Sequence, residues 1–181
     1  MKKIIIICGL IAGLIVASWM LISMAGYNNP NFEGSMLLGY TGMVIALSLI
    51  FVGIKNYRDK QSDGNITFGK ALKMGLLITL IASTIYVIMW QIDYFFFIPD
   101  FFEKYSTHII RDMKANGATQ AQIQQQIIDN QNTGKLYRNP LFNALFTYAE
   151  ILPVGIIMSL LAALILKRKP NDKMVTSQVS V

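Results

Sequence analysis

The chain has 181 residues, of which 54% are hydrophobic and 14% are charged, and its formal net charge is +6. A soluble domain has about 25% charged residues, because charged side chains keep its surface in water, so this composition excludes an ordinary soluble fold and favours a membrane protein. The basic residues lie between apolar blocks and not on one water-exposed face, which also excludes the surface that nucleic-acid binding requires.

Four apolar blocks predict four membrane-spanning helices, because a helix needs about 20 residues to cross the hydrocarbon layer. None of the blocks alternates with a period of two, as a barrel strand would. We therefore expect an all-α membrane bundle of four transmembrane helices, which forms a single domain over residues 1–169 and is followed by a polar cytoplasmic tail at 170–181. The predicted spans cover about residues 4–24, 36–54, 71–91 and 141–166.

The first block could also be a cleaved signal peptide. Lys2 and Lys3 resemble its basic start, and Ser23-Met24-Ala25 is a weak match to its cleavage site. However, the apolar run is far longer than the roughly 7–15 residues of a signal peptide's apolar region. We expect the block to be retained as a true span.

The basic residues also predict the orientation of the chain. Short cytoplasmic loops are enriched in Lys and Arg. The short loop Tyr27–Ser35 has none of these residues, whereas Lys55–Thr67 has three. Eleven of the 16 Lys and Arg residues then fall on the side of the second loop. The pattern predicts a multi-pass membrane protein with both termini in the cytoplasm.

The helix ends carry local signals. Thr67 can cap the third span, and Asn139 followed by Pro140 is typical of an N-cap and a first helical residue at the fourth. The long segment between these spans predicts an extracytoplasmic helical hairpin over about residues 99–131. Pro99 would start its first helix and Asn116-Gly117 would end it. A Thr119-x-x-Gln122 capping box would start its second helix, and Asn132-Thr133-Gly134 would end it.

The hairpin could simply cap the bundle, or it could bind a partner. The four spans themselves carry small residues at four-residue spacing, which lets helix backbones approach closely within a bilayer. We expect these residues to mediate packing within the bundle, with homodimerisation as a further possibility. The stripes are Gly9/Gly13/Ala17, Gly42/Ala46, Gly75/Thr79/Ser83 and Gly155/Ser159/Ala163.

Glu150 is the leading candidate for a functional intramembrane residue. It lies roughly ten residues into the fourth span, and an ionisable group at that depth usually faces a bundle interior or a wet cavity. Pro153 removes a backbone donor and is expected to kink or break the helix, and Gly155 leaves room for close approach. These three residues could form a proton- or cation-binding site with Asp93. Alternatively, Glu150 locks helices together and Asp93 is a solvated acid at a helix end.

Three segments of the chain carry a resemblance to a known family: Thr67–Gly75 (TFGKALKMG), Pro99–Tyr105 (PDFFEKY) and Tyr148–Gly155 (YAEILPVG). Over roughly residues 5–169, the chain resembles domain-of-unknown-function family 4199. The members are uncharacterised bacterial membrane proteins with four spans, so the resemblance implies the same architecture. It gives Glu150 and Pro153 more weight, and it implies no activity.

The leading hypothesis for function is a non-enzymatic membrane protein that acts through the lipid bilayer, a membrane-protein partner or a second copy of itself. The alternative is a small transporter or channel subunit that uses Glu150 next to a helix break at Pro153. An enzyme is not expected, because no second catalytic group accompanies Glu150. No cofactor or metal site is expected either, since His108 and Cys8 are the only His and Cys residues.

Overall fold

The computed structural model describes residues 1–24 and 36–168. Within these residues, the only strand-like pairing is a single bridge between Ile66 and Arg168, so the prediction of an all-α fold is confirmed. The elements are α1 (Lys2–Met24), α2 (Met36–Leu47), α3 (Leu49–Gln61), α4 (Phe68–Ile92), a π-helical segment (Asp93–Phe97), α5 (Phe101–Ala115), α6 (Gln120–Tyr137) and α7 (Pro140–Leu166).

Four helical stretches of the described chain are long and apolar enough to cross a membrane, which confirms the predicted number of spans. The protein is therefore a multi-pass membrane protein. The second stretch is longer than predicted because the helix continues through polar residues to Gln61, and the third is longer because the helix continues past Asp93 through aromatic residues to Phe97. The loop Tyr27–Ser35 and the tail 170–181 lie outside the described residues. The four stretches are Lys2–Met24, Leu37–Gln61, Phe68–Phe97 and Pro140–Leu166.

The second span contains a local irregularity that the sequence analysis missed. Ser48 separates α2 from α3, and its backbone N–H donates to the carbonyls of both Val44 (3.0 Å) and Ile45 (3.3 Å). Its hydroxyl also donates to the Ile45 carbonyl at 2.6 Å. A serine side chain that bonds to the preceding turn competes with the regular helical pattern, which explains why the helix is interrupted here.

The chain divides into two compact units. The first unit comprises Met1–Tyr86 together with the part of the chain that begins at Ile151, and the second comprises Val87–Glu150. The predicted single domain over residues 1–169 stays a prediction.

Small residues bring the helices of the first unit into close contact. A side chain added at Gly9 of α1 would place its Cβ 2.7 Å from Cβ of Ile81 on α4, and one at Gly75 of α4 would lie 2.8 Å from Cβ of Ser159 on α7. Gly42 of α2 packs against the Trp19 ring in the same way. Contacts this short exclude any larger residue, so the prediction that the small-residue stripes mediate packing is confirmed.

Polar contacts join the helix ends at one side of the first unit. The N-terminal amino group donates to Gln61 Oε1 at 2.6 Å, and Arg58 Nη1 donates to the Leu166 carbonyl at 3.4 Å. The predicted cap at Thr67 is confirmed, because its hydroxyl accepts a hydrogen bond from the Lys70 backbone N–H at 3.4 Å.

The second unit contains the α5–α6 hairpin. Gly117 follows α5 with φ of +76°, a conformation that glycine adopts readily, so the predicted end of this helix is confirmed. The capping box of Thr119 and Gln122 at the start of α6 is confirmed as well. The prediction that Pro99 is the first helical residue is wrong: Pro99 lies in a turn, and α5 begins at Phe101.

The predicted end of α6 at Asn132-Thr133-Gly134 is also wrong, because the helix continues to Tyr137. A Cβ added at Gly134 would lie 3.0 Å from the Phe102 ring of α5. This glycine therefore permits a close helix crossing and does not end the helix. The hairpin is held further by a 2.6 Å hydrogen bond from Asn130 Nδ2 to Ser106 Oγ.

Candidate functional site

Asp93 lies at the start of the π-helical segment and is only 8% exposed. The wider turn is closed by a hydrogen bond from the Ile98 N–H to the Asp93 carbonyl at 2.9 Å. The carboxylate oxygen Oδ2 is buried and has no hydrogen-bond partner among the described residues. Asp93 is therefore not the solvated helix-end acid that was one of its two expected roles. Single π-helical turns occur frequently at functional sites.

Asn143 is a buried polar residue that the sequence analysis did not select. It lies one turn into α7 and has no exposed surface. Its side-chain Nδ2 donates to the Tyr137 carbonyl at 3.4 Å, while Oδ1 has no hydrogen-bond partner in the described part of the chain. Thr147, one turn later, donates its hydroxyl to the Asn143 carbonyl at 2.8 Å. An asparagine and a threonine at four-residue spacing in an apolar span were the available signal.

The start of α7 is fixed by Asn139, which precedes the helix, and by Pro140, which is its first residue. Asn139 Oδ1 accepts a hydrogen bond from the Leu141 N–H at 2.9 Å, and Pro140 is the first helical residue. Both roles were predicted and are confirmed. This cap sets the rotation of α7, and it thereby directs Asn143 and Thr147 into the second unit.

Tyr137 connects these residues electrostatically. Burial is the main cause that raises the pKa of its hydroxyl to about 12, and a negative charge on Glu150 adds to the increase. The Tyr137 ring packs against Tyr94 (5.3 Å between centroids), Phe102 (5.6 Å) and Phe146 (5.9 Å), and these contacts define the aromatic cluster of the second unit.

Glu150 is exposed on the surface of α7. It follows Pro140 by ten residues, which places it about 15 Å along the helix at 1.5 Å per residue. Among the described residues, its carboxylate forms no hydrogen bond or ion pair. The exposed side chains that precede it are apolar, Leu145 at 55% and Phe146 at 44%. Glu150 therefore does not lock helices of this chain together in the described structure.

Pro153 and Gly155 have separate roles in α7. The helix runs from Pro140 to Leu166 with Pro153 inside it, so the predicted helix break at Pro153 is wrong. One interior proline removes a single hydrogen bond, and the remaining bonds continue the helix. Gly155 is buried, and its carbonyl accepts hydrogen bonds from Ser159 Oγ (2.7 Å) and Thr79 Oγ1 (3.3 Å). It serves the packing of α7 against α4.

The four predicted site residues are thus divided between the two units. Asp93 and Glu150 belong to the second unit, and Pro153 and Gly155 belong to the first. No hydrogen bond between Asp93 and Glu150 is present among the described residues. Among the described residues of the second unit, the buried side-chain polar atoms without a hydrogen-bond partner are Trp90 Nε1, Asp93 Oδ2 and Asn143 Oδ1. The carboxyl group of Glu150 is exposed on α7.

Comparison with known proteins gives one match. The model of a family described as "Protein of unknown function (DUF4199)" matches residues 7–168. No curated protein and no solved structure matches the chain. Since the match extends over nearly all of the four membrane-spanning helices and the hairpin, the chain belongs to this family of unknown function, DUF4199.

Proposed function

We propose that this protein is a non-enzymatic component of a bacterial inner membrane that functions as a homodimer, in which the Glu150 side of α7 contacts the same surface of a second copy. Both termini would lie in the cytoplasm and the α5–α6 hairpin outside it, as the distribution of Lys and Arg indicates. The observation that supports the dimer is the exposure of Glu150 on an apolar span.

The argument begins with the cost of the exposed carboxyl group. An ionisable side chain near the centre of a membrane-spanning helix costs about 2.5–3.5 kcal/mol on insertion scales. In a single chain, we expect the Glu150 side chain to face lipid, because it is exposed on an apolar span and the exposed residue one turn before it on the same face, Phe146, is apolar. Association with a polar group of another membrane helix removes this cost, since such a group supplies the missing hydrogen bonds.

A second copy of the chain can supply this polar group with Glu150 alone. Around a two-fold axis, a surface patch meets itself, so Glu150 of one chain lies beside Glu150 of the other. A protonated carboxyl group both donates and accepts hydrogen bonds, and two of them are therefore mutually complementary. The exposed Phe146, one turn before Glu150 on the same face, supplies apolar contact area.

The alternative function, a transporter or channel subunit that uses Glu150 next to Pro153, has less support. Such a site is expected at an interrupted helix that faces a water-filled cavity. Here α7 continues through Pro153, and Glu150 lies on the exposed surface of the helix.

Photo-crosslinking in native membranes tests the homodimer. A benzophenone amino acid replaces Phe146, which keeps an aromatic ring at the position. The matched control carries the same group at Leu145, which is also exposed but lies about 100° from Phe146 and about 140° from Glu150 around a helix of 3.6 residues per turn. We expect an adduct of twice the chain mass from position 146 and none from position 145.

Substitution of Glu150 then tests the role of its carboxyl group. Glu150→Gln keeps a side chain that donates and accepts hydrogen bonds, so the adduct should persist. Glu150→Leu removes that capacity and should reduce the adduct at least tenfold. An adduct only with another protein or with lipid would contradict the proposal, and so would an equal yield in the Glu150→Leu protein.

A further inference from the structure

Two buried oxygen atoms of the second unit have no donor among the described residues: Oδ2 of Asp93 and Oδ1 of Asn143. Asp93 is 8% exposed and Asn143 is fully buried. A buried acceptor without a partner costs about 1–3 kcal/mol, and more when it is charged. The buried indole N–H of Trp90 in the same unit also has no partner among the described residues, but one N–H can satisfy only one of these two acceptors. At least one acceptor therefore still requires a positively charged or proton-donating species.

The orientation of the Asn143 amide is determined by its neighbour. Its nitrogen faces the carbonyl of Tyr137 at 3.4 Å. A carbonyl can only accept hydrogen bonds, so the reverse orientation would place two acceptors against each other. The oxygen Oδ1 therefore points away from Tyr137, and it requires a different partner.

The residues next to Asp93 lie against the same part of the chain as Asn143. Gln91 Nε2 donates to the Pro140 carbonyl at 2.6 Å, and the Tyr94 ring packs against Tyr137 at 5.3 Å. The turn that carries Asp93 is thus attached to residues 137–140, and Asn143 is bonded to the same stretch. Asp93 and Asn143 therefore both lie next to residues that contact the stretch 137–140.

We propose that Asp93 and Asn143 form a binding site for one monovalent cation, either a proton or Na⁺. A proton on the Asp93 carboxyl would turn this group into a donor, and Asn143 Oδ1 is an acceptor that lacks one. Sodium would instead be held by both oxygens, with further oxygens from the surrounding backbone, since carboxylate and amide oxygens are suitable ligands for hard cations. The site lies in one chain, so it does not depend on the proposed homodimer.

Any pH experiment must distinguish the titration of Asp93 from that of the other charged groups in the second unit. Glu150 on α7 acts on the Tyr137 hydroxyl. Arg138 after α6 and Glu103 on α5 act on the Tyr94 hydroxyl. Of these groups, Glu150 is the other intramembrane carboxyl, so the experiment uses the Glu150→Gln protein as its background.

The test uses the full chain in lipid nanodiscs, with infrared spectroscopy to detect a protonated carboxyl group and thermal unfolding to detect sodium. The variants are Asp93→Asn and Asn143→Ala, and the matched control is Asp129→Asn, because Asp129 is an exposed acid of α6. Choline chloride at equal concentration is the control for ionic strength.

If the site binds a proton, the protein in sodium-free buffer at neutral pH will show a protonated carboxyl band. Asp93→Asn will remove the band, Asn143→Ala will shift it, and Asp129→Asn will leave it unchanged. If the site binds sodium, NaCl but not choline chloride will raise Tm by several degrees, and both Asp93→Asn and Asn143→Ala will abolish the increase.

The inference is overturned if the Glu150→Gln protein shows neither the band nor a sodium-dependent Tm. It is equally overturned if either signal survives both substitutions. Because the Asn143→Ala protein keeps the Asp93 carboxyl group, it remains informative should Asp93→Asn fail to fold.

Discussion

The hydroxyl of Thr79 on α4 donates a hydrogen bond to the backbone carbonyl of Gly155 on α7 over 3.3 Å. Ser159 Oγ lies 3.2 Å from the same hydroxyl, so three polar atoms are satisfied within one helix contact. This contact exists because Gly155 has no side chain: a Cβ at this position would overlap the Thr79 methyl group. Small residues at four-residue spacing thus permit close helix packing in the first unit, and they also supply hydrogen bonds there.

Gly155→Ala should destabilise the protein by about 1–3 kcal/mol, because it overpacks the contact with Thr79. Thermal unfolding in a mild detergent measures the effect. Thr79→Ser removes the obstructing methyl group and keeps the hydroxyl, so it should restore part of the lost stability in the double variant. Gly69→Ala is the matched control, because a Cβ there meets no atom within 4 Å. Equal losses at Gly155 and Gly69 would contradict this role.

Tyr137 should ionise at a higher pH than an ordinary tyrosine. Burial raises its pKa to about 12 from an ordinary value of 10.0. The folded protein therefore holds this proton more tightly than the unfolded chain does. The contribution to stability is complete below about pH 10 and is lost as the pH rises through about 12. Absorbance titration of tyrosinate should show a step near pH 12 that Tyr137→Phe removes.

Glu150→Gln should lower the pKa of Tyr137, because the alkaline pH of the titration favours the ionised form of Glu150, and a carboxylate at this position raises the Tyr137 pKa. The same absorbance titration measures this shift. Glu103→Gln is a suitable control, since Glu103 acts on the Tyr94 hydroxyl. A Tyr137 titration that is identical with and without the Glu150 carboxyl group would show that the two groups do not interact.

The α5–α6 turn and the end of α3 should be labelled from opposite sides of the membrane. Asn116 and Lys60 are both exposed, and each is replaced by cysteine in a Cys8→Ser background. A membrane-impermeant maleimide should label Asn116→Cys in intact spheroplasts, and it should label Lys60→Cys only after permeabilisation. The distribution of basic residues requires this result. Labelling of both positions, or only of Lys60→Cys, in sealed spheroplasts would contradict the proposed orientation.

Thr119→Ala should weaken the start of α6 without unfolding the protein. Its hydroxyl accepts a hydrogen bond from the Gln122 N–H at 3.3 Å, and loss of such a cap costs about 1 kcal/mol. Hydrogen exchange of the first turn of α6 should increase about fivefold, while exchange in α4 stays constant. Thr107→Ala, which removes a hydroxyl inside exposed α5, should change exchange far less. A uniform increase across all helices would contradict a local capping role.

The features that were predicted correctly depend on residues close together in sequence. The capping box at Thr119, the Asn139-Pro140 start of α7 and the glycine at 117 act within one helical turn. The number of spans could be predicted from hydropathy, because an apolar helix is one of the few structures that can cross a lipid bilayer. Small-residue stripes were also sufficient to predict which helix faces pack closely.

The candidate site was predictable only in part, because burial is decided by other elements of the fold. Asp93 is buried by a π-helical turn that no local residue pattern indicates. Asn143 contacts Tyr137, and Gly134 contacts Phe102. Neither contact is indicated by a hydropathy or capping pattern in the sequence. For Glu150, the position along α7 could be predicted from hydropathy, but the side of the helix that remains exposed could not, because it depends on contacts with other helices.

The Tyr137 ring touches one aromatic ring on the π-helical segment, one on α5 and one on α7. Any swing of the α5–α6 hairpin therefore has to separate aromatic pairs, each of which contributes about 0.5–1.5 kcal/mol beyond its buried area. These aromatic contacts therefore resist movement of the hairpin relative to the π-helical segment and the start of α7. A movement of the hairpin is therefore transmitted to the start of α7 through the Tyr137–Phe146 contact, in addition to the backbone of residues 137–140.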